Sequence, residues 1–171
     1  MKITLRPWTR KDLDELQKLC EQADRTYLSE RMPSPYTLED AQWWFDHIQK
    51  EEASQRGLFR AVCLDDQIMG TISVEMMGDV RCQDCELGYF LQRSHWSKGI
   101  MTKAVQLMCE EAFQQLAINR ISALVYAPNI ASRKVLEKNN FVIEGLLRQA
   151  ITKKEQHYDA CLYAKYRHND N

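Results

Sequence analysis

Gln92-Arg93-Ser94-His95-Trp96-Ser97-Lys98-Gly99-Ile100-Met101-Thr102 joins two apolar runs of different period. The run before it, Cys85–Leu91, has the length and composition of a strand. The run after it, Lys98 to about Leu116, places Ile100, Ala104, Leu107, Met108 and Ala112 on one helical face. A strand–turn–helix junction gathers backbone N–H groups without intrahelical acceptors at the positive end of a helix dipole, where an anion is favoured. Gly99 leaves room for a bulky diphosphate to approach the backbone. The segment is neither a Walker loop nor a GxGxxG turn, and on these grounds alone it reads equally as a plain connection with a glycine kept for packing.

Working outward toward the N-terminus, Ile68–Met76 and Leu58–Leu64 read as strands joined by a tight turn at Asp65-Asp66-Gln67. Thr37 with Asp40 has the form of a capping box and opens a helix with the stripe Ala41, Trp44, Phe45 and Ile48. Thr9 with Asp12 opens another, with Leu13, Leu16, Leu19 and Cys20 inward, and Met32-Pro33-Ser34-Pro35 breaks the chain between the two. Lys2–Arg6 alternates as a short strand. Toward the C-terminus, Arg120–Tyr126 is a strand ended by Ala127-Pro128. Asn129 caps a helix to about Lys138, and Phe141–Arg148 and His157–Lys165 are two closing strands. The order β-α-α-β-β-β-α-β-α-β-β predicts a mixed α/β fold with a long antiparallel run. Without repeats or linkers, residues 1–166 read as one domain. The polar stretch Arg167-His168-Asn169-Asp170-Asn171 reads as a frayed tail.

The chain's 171 residues carry a net charge of −1, which argues against nucleic acid as the main partner. The first residues, Met1–Arg6, lack the apolar core of a signal peptide, and no window approaches 18 consecutive apolar residues. The expected compartment is the cytoplasm, with no membrane partner. Cys20, Cys63, Cys109 and Cys161 sit within apolar patterns as small buried hydrophobes. Cys82-Gln83-Asp84-Cys85 is a lone CxxC with no second pair or histidines at ligand spacing, so no metal is expected and the two read as incidental surface thiols.

Trp96–Thr102 resembles the coenzyme A diphosphate loop of the GNAT superfamily of N-acetyltransferases. That family's pattern is Gln or Arg, two residues, Gly, one residue, then Gly or Ala. Gly99 supplies the central glycine. Trp96 stands where Gln or Arg would and Met101 where the small residue would, departures found in the subgroup resembling ribosomal-protein N-terminal (serine/alanine) acetyltransferases. Asn129–Phe141 is similar to the family's Asn-x-x-Ser…Leu-Glu-Lys-x-Gly-Phe signature, followed by Glu144-Gly145. Asn140 replaces the glycine at a helix C′ site that needs positive φ. Glu86–Leu91 resembles the family's fourth strand and His157–Ala164 its last.

The resemblance implies a mostly antiparallel sheet of about seven strands, flanked by about four helices, in which Cys85–Leu91 and Arg120–Tyr126 form a splayed parallel pair. It implies acetyl-coenzyme A as co-substrate, its pantetheine arm in the splay. Backbone near Phe90 and Leu91, the loop residues Trp96, Ser97, Lys98, Gly99, Ile100, Met101 and Thr102, and Asn129 and Ser132 would then hold it. Attack would be direct, in a ternary complex. A lysine amine with pKa ~10.4 is neutral in only about one molecule in 2,500 at pH 7, whereas an α-amine at ~7.7–8.0 is roughly a tenth neutral, so an α-amine needs less help. Glu86 is the candidate base, acting through a water. The resemblance places Ser132 as hydrogen-bond donor to the leaving sulfur. Many relatives use a tyrosine later on the same helix, where this chain has Val135 or Leu136. Tyr27, Tyr36, Trp43 and Tyr158 are the candidate acceptor contacts. The expected acceptor is a protein or peptide N-terminus. A small-molecule acetyltransferase and a non-catalytic coenzyme A-binding module are the alternatives, and the oligomeric state is monomer or homodimer.

Overall fold

Asp65 and Asp66, with left-handed φ of 47° and 67°, turn β2 (Gly57–Leu64) directly into β3 (Gln67–Met76). A two-residue turn of that hand matches the twist of the flanking strands. The turn is thus one residue shorter than expected, with Gln67 already in β3. The computed structural model describes residues 1–168. β1 (Ile3–Pro7) pairs outside β2, and β4 (Asp84–Leu91) runs antiparallel to β3. β5 (Arg120–Tyr126) is parallel to β4, while β7 (Gln156–Tyr166) and then β6 (Val142–Lys153) complete the order β1-β2-β3-β4-β5-β7-β6. The helices are α1 (Leu13–Glu21), α2 (Leu38–Ala53), α3 (Ile100–Gln115) and α4 (Ile130–Lys138). The mixed sheet with one parallel pair and four helices is the expected fold.

Strand alternation sends side chains to two separate cores. Cys85, Leu87 and Leu91 of β4 join Ile121, Ala123 and Val125 of β5 under α3 and α4, where Ile100, Ala104, Met108 and Leu136 are buried. On the other face, Leu16 and Leu19 of α1 and Ala41, Phe45 and Ile48 of α2 close over Phe59, Ala61 and Cys63 of β2. Each large apolar side chain so buried contributes about 1.5–3 kcal/mol. Cys20, Cys63, Cys109 and Cys161 are buried, as expected.

Local signals explain the helix ends. At α2, Thr37 Oγ1 accepts from the Asp40 N–H at 3.2 Å, and Asp40 accepts from the Thr37 N–H at 2.8 Å. The Thr9–Asp12 pair also forms, with the Thr9 N–H donating to Asp12 at 2.8 Å, but it caps a short 3₁₀ turn and α1 proper starts at Leu13. α4 ends with Phe141 N–H donating to Leu136 O and Asn140 N–H to Glu137 O, with Asn140 at φ 63°, the left-handed C′ site anticipated from its sequence position.

Four expectations are corrected. α3 starts at Ile100, not Lys98, because Ser97 (φ 60°) and Gly99 (φ 75°) are left-handed and cannot be helical. β6 continues past Arg148 to Lys153, and its hairpin turns at Lys154–Glu155, left-handed residues without the Gly or Asn that announces such a turn. Cys82 is exposed but Cys85 is fully buried in β4, where burial pushes its thiol up to about 12, so the CxxC is not a pair of surface thiols. Arg167 is docked rather than frayed. Its N–H donates to Asn119 O and its Nε to Ile118 O, both at 2.9 Å, with the guanidinium 5.3 Å over the Phe113 ring. The remainder of the expected tail beyond His168 lies outside the described residues. Among the described residues, no helix is long and apolar enough to cross a membrane.

β4 and β5 pair at only three rungs, Asp84–Arg120, Cys85–Ile121 and Glu86–Ser122. Beyond Glu86 they part. The closed end is locked by Asp84, which accepts from Arg81 at 2.9 Å and pairs with Arg120 at 3.3 Å, and by Ser122 Oγ donating to Cys85 O at 3.2 Å. The open end faces the start of α3 and the start of α4.

Candidate active site

At the mouth of the split, the loop after β4 turns sharply into α3. Ser97 and Gly99 are both left-handed. The N–H groups from Ser97 to Thr102 find no backbone acceptor among the described residues, and the first α3 bond runs from the Lys103 N–H to Gly99 O at 3.2 Å. A Cβ built on Gly99 would meet nothing within 4 Å, so the approach to this backbone is open. The loop is braced from behind by Trp96, whose indole N–H donates to Leu91 O at 2.8 Å under the Arg93 guanidinium. From Gly99 a groove of about 540 Å³ runs along α3 past Thr102, Lys103, Lys138 and Lys165. Asn139, buried, fastens α4 to this turn by donating to Thr102 O at 3.1 Å.

Across the split, Asn129 caps α4 by accepting from the Ser132 N–H at 3.3 Å. Ser132 Oγ lies 2.7 Å from the hydroxyl of Tyr89 on β4, bridging the two arms of the split. Burial pushes the Tyr89 phenol up to about 12, against a smaller downward pull from Ser132, so it stays protonated at neutral pH.

The open end is roofed by the segment between α1 and α2. Asp24 pairs with Arg93 at 3.5 Å on the β4 side. On the other side Leu28 O accepts from Tyr126 at 3.3 Å and from Lys153 Nζ at 2.7 Å, and Lys153 also donates to the carbonyl of Arg25. Burial, reinforced by neighbouring Lys154, draws the Lys153 ammonium below its ordinary range. Beneath this roof Tyr126 packs against Tyr27 at 5.3 Å and against Tyr158 at 5.4 Å.

This region combines a run of N–H groups without backbone acceptors, a groove beside it lined by Lys103, Lys138 and Lys165 together with Glu110, and a split between parallel strands. A sequence profile of the family described as Acetyltransferase (GNAT) domain matches residues 2–142. The chain belongs to the GNAT acetyltransferase family. It is similar to YjcK, a probable N-acetyltransferase of Bacillus subtilis (strain 168), at 39% identity over 62% of this chain and 58% of that one, so the match spans a little over half of that relative. It is 27% identical to the ribosomal-protein-serine acetyltransferase of Escherichia coli (strain K12) over 71% of this chain and 75% of the other. Among solved structures, RimL, a ribosomal L7/L12 α-N-protein acetyltransferase in complex with coenzyme A, shares the fold with a TM-score of 0.86, at 19% identity over 97% and 94% of the two chains.

Set on this GNAT scaffold, the residues singled out from sequence separate into two sets. Ser97, Lys98, Gly99, Thr102, Asn129 and Ser132 border the split or its loop. Ile100 and Met101 have side chains buried in the core and present only their N–H groups. The Leu91 carbonyl already accepts from Trp96, and the Phe90 side chain packs toward the α1–α2 core. Glu86 is exposed at the closed end of the split, across from Glu75 on β3 and Ser122 on β5. By strand alternation it shares a face with Phe90, opposite the face carrying Tyr89 and Ser132. Tyr27 and Tyr158 meet around Tyr126 as candidate acceptor contacts. Two expected acceptor contacts are not brought there. Tyr36 is 5% exposed within the α1–α2 core, because its ring fills the gap left between those helices. Trp43 is 68% exposed on the outside of α2, stacked flat on His47, because Trp44 takes the inward position beside Trp8 and Phe59. Tyr89 and Lys153 were missed: a tyrosine inside a strand motif looks like core, and Lys153 fell in an expected loop.

Proposed function

We propose that this chain transfers an acetyl group from acetyl-coenzyme A to a primary amine, the α-amine of a protein or peptide N-terminus, by direct attack in a ternary complex. The run of free N–H groups from Ser97 to Thr102 at the mouth of the β4–β5 split carries this reading. These groups fit a diphosphate, the open space over Gly99 admits it, and Lys103 and Lys138 line the groove that would take the nucleotide end. When bound, acetyl-coenzyme A supplies the activated acyl group. The Phe90 backbone and Asn129 line the arm's path. Ser132 donates a hydrogen bond to the departing sulfur, and Glu86 takes the amine proton through a water from the other face of the sheet.

The names of the E. coli relative and of the solved neighbour, a ribosomal-protein-serine and an α-N-protein acetyltransferase, support an N-terminal α-amine as acceptor. So does chemistry, since an α-amine is far more often neutral near pH 7 than a lysine side chain. The six free thiols suit a reducing compartment, the cytoplasm. The test is mass spectrometry of an amine library, containing N-terminal peptides, polyamines, aminoglycosides and amino acids, incubated with labelled acetyl-coenzyme A. Acetylated peptide N-termini support the reading. Label on small amines alone makes the chain a small-molecule acetyltransferase, and cofactor binding without any turnover makes it a regulatory module.

A further inference from the structure

We infer that Tyr89 is a positioning residue for Ser132: its phenol donates to Ser132 Oγ across the split and leaves the serine's own proton free to be offered to the sulfur. The inference rests on the proposed role of Ser132. Its physical basis is a shortage of acceptors. The Tyr89 side chain packs against the core under α3, and its only acceptors among the described residues belong to Ser132, Oγ at 2.7 Å and the carbonyl at 3.4 Å. A buried O–H takes the nearer acceptor, because leaving it unmade costs about 1–3 kcal/mol. The phenol is also the stronger acid of the two hydroxyls, which sets the direction of donation. Ser132 Oγ then accepts from one side, and its hydrogen must point elsewhere. A serine in the first turn of a helix otherwise rotates among several staggered positions. The Tyr89 bond selects one of them before the co-substrate arrives, so the donor is preorganised.

Four enzymes test this: wild type, Tyr89→Phe, Ser132→Ala and the double variant, compared by kcat with saturating peptide, by KM for acetyl-coenzyme A and by calorimetric Kd. Phenylalanine keeps the ring in the core, and thermal melting checks the fold of each variant. Tyr89→Phe is expected to lower kcat roughly 3- to 10-fold, with KM and Kd for acetyl-coenzyme A within about twofold of wild type. The double variant is expected to be no slower than Ser132→Ala alone, since Tyr89 acts only through the serine. A packing defect would instead slow the enzyme further in the Ser132→Ala background, and that multiplicative loss overturns the inference. So does an unchanged kcat in Tyr89→Phe when Ser132→Ala is slow, which leaves the Ser132 role standing. An unchanged kcat in Ser132→Ala removes the donor role itself and the Tyr89 role with it.

Discussion

Replacing Gly99 by alanine separates the shape of the diphosphate loop from its use. Gly99 sits at φ 75°, where an L-residue suffers a steric cost of about 1–2 kcal/mol. A Cβ there meets no protein atom within 4 Å, so strain is the only cost to the unliganded protein. For a chain of this size such a loss lowers Tm by about 2–8 °C. The same methyl group would occupy the open space through which a diphosphate reaches the N–H groups from Ser97 to Thr102. A hydrogen bond to a charged partner is worth about 1.5–3 kcal/mol, so breaking even one weakens coenzyme A binding roughly 10- to 150-fold. Differential scanning calorimetry reads the first effect and isothermal titration with coenzyme A the second. Gly145→Ala is the control: its added Cβ also meets nothing within 4 Å, but its φ is not positive, so both readouts should hold. A Gly99→Ala protein that melts low yet binds coenzyme A as tightly as wild type would refute the cradle while leaving the backbone geometry intact.

Lys153→Met removes the ammonium that holds the carbonyls of Arg25 and Leu28, and hydrogen exchange at residues 24–30 should accelerate at least tenfold, with protection of α3 unchanged. Asn140→Ala should cost about 1 kcal/mol in urea unfolding, because alanine tolerates φ 63° less well than asparagine. Asp12, buried and accepting from Arg6 at 2.8 and 2.9 Å and from the Thr9 N–H, is held below its ordinary carboxylate range by Arg6 first and by Thr9. The unfolded state therefore takes up this proton first on acidification, so its contribution is complete above about pH 4–5 and is lost as pH falls. Asp12→Asn should flatten the acid limb of a stability profile without adding slope above pH 6. Glu86→Gln should lower kcat at least about tenfold at pH 7 with coenzyme A affinity unchanged, and equal kcat would remove Glu86 as the base.

Much of this molecule was legible because its signals are local. The Thr37–Asp40 box and the left-handed Asn140 depend on residues within one turn of each other, and both occur where the spacing placed them. The order of strands and helices followed from apolar period, and the loop around Gly99 from its place between a strand and a helix. The turn at Lys154–Glu155 was not legible, because tertiary pairing of β6 with β7 holds left-handed backbone at residues that do not favour it. Tyr36 and Trp43 were misplaced for a related reason. An aromatic residue's burial depends on which gap between helices it meets, and neighbouring positions on α2 divide into the half-buried Trp44 and the exposed Trp43.

Sequence alone settled the order of the elements, the cap of α2 and the left-handed Asn140, since each depends on the chain's own residues over a short span. Where β4 and β5 stop pairing, which face Glu86 occupies, and the meeting of Tyr89 with Ser132, 43 positions apart, were decided only by tertiary structure. Contacts of that kind exist only once distant segments are held side by side, and no local preference encodes them.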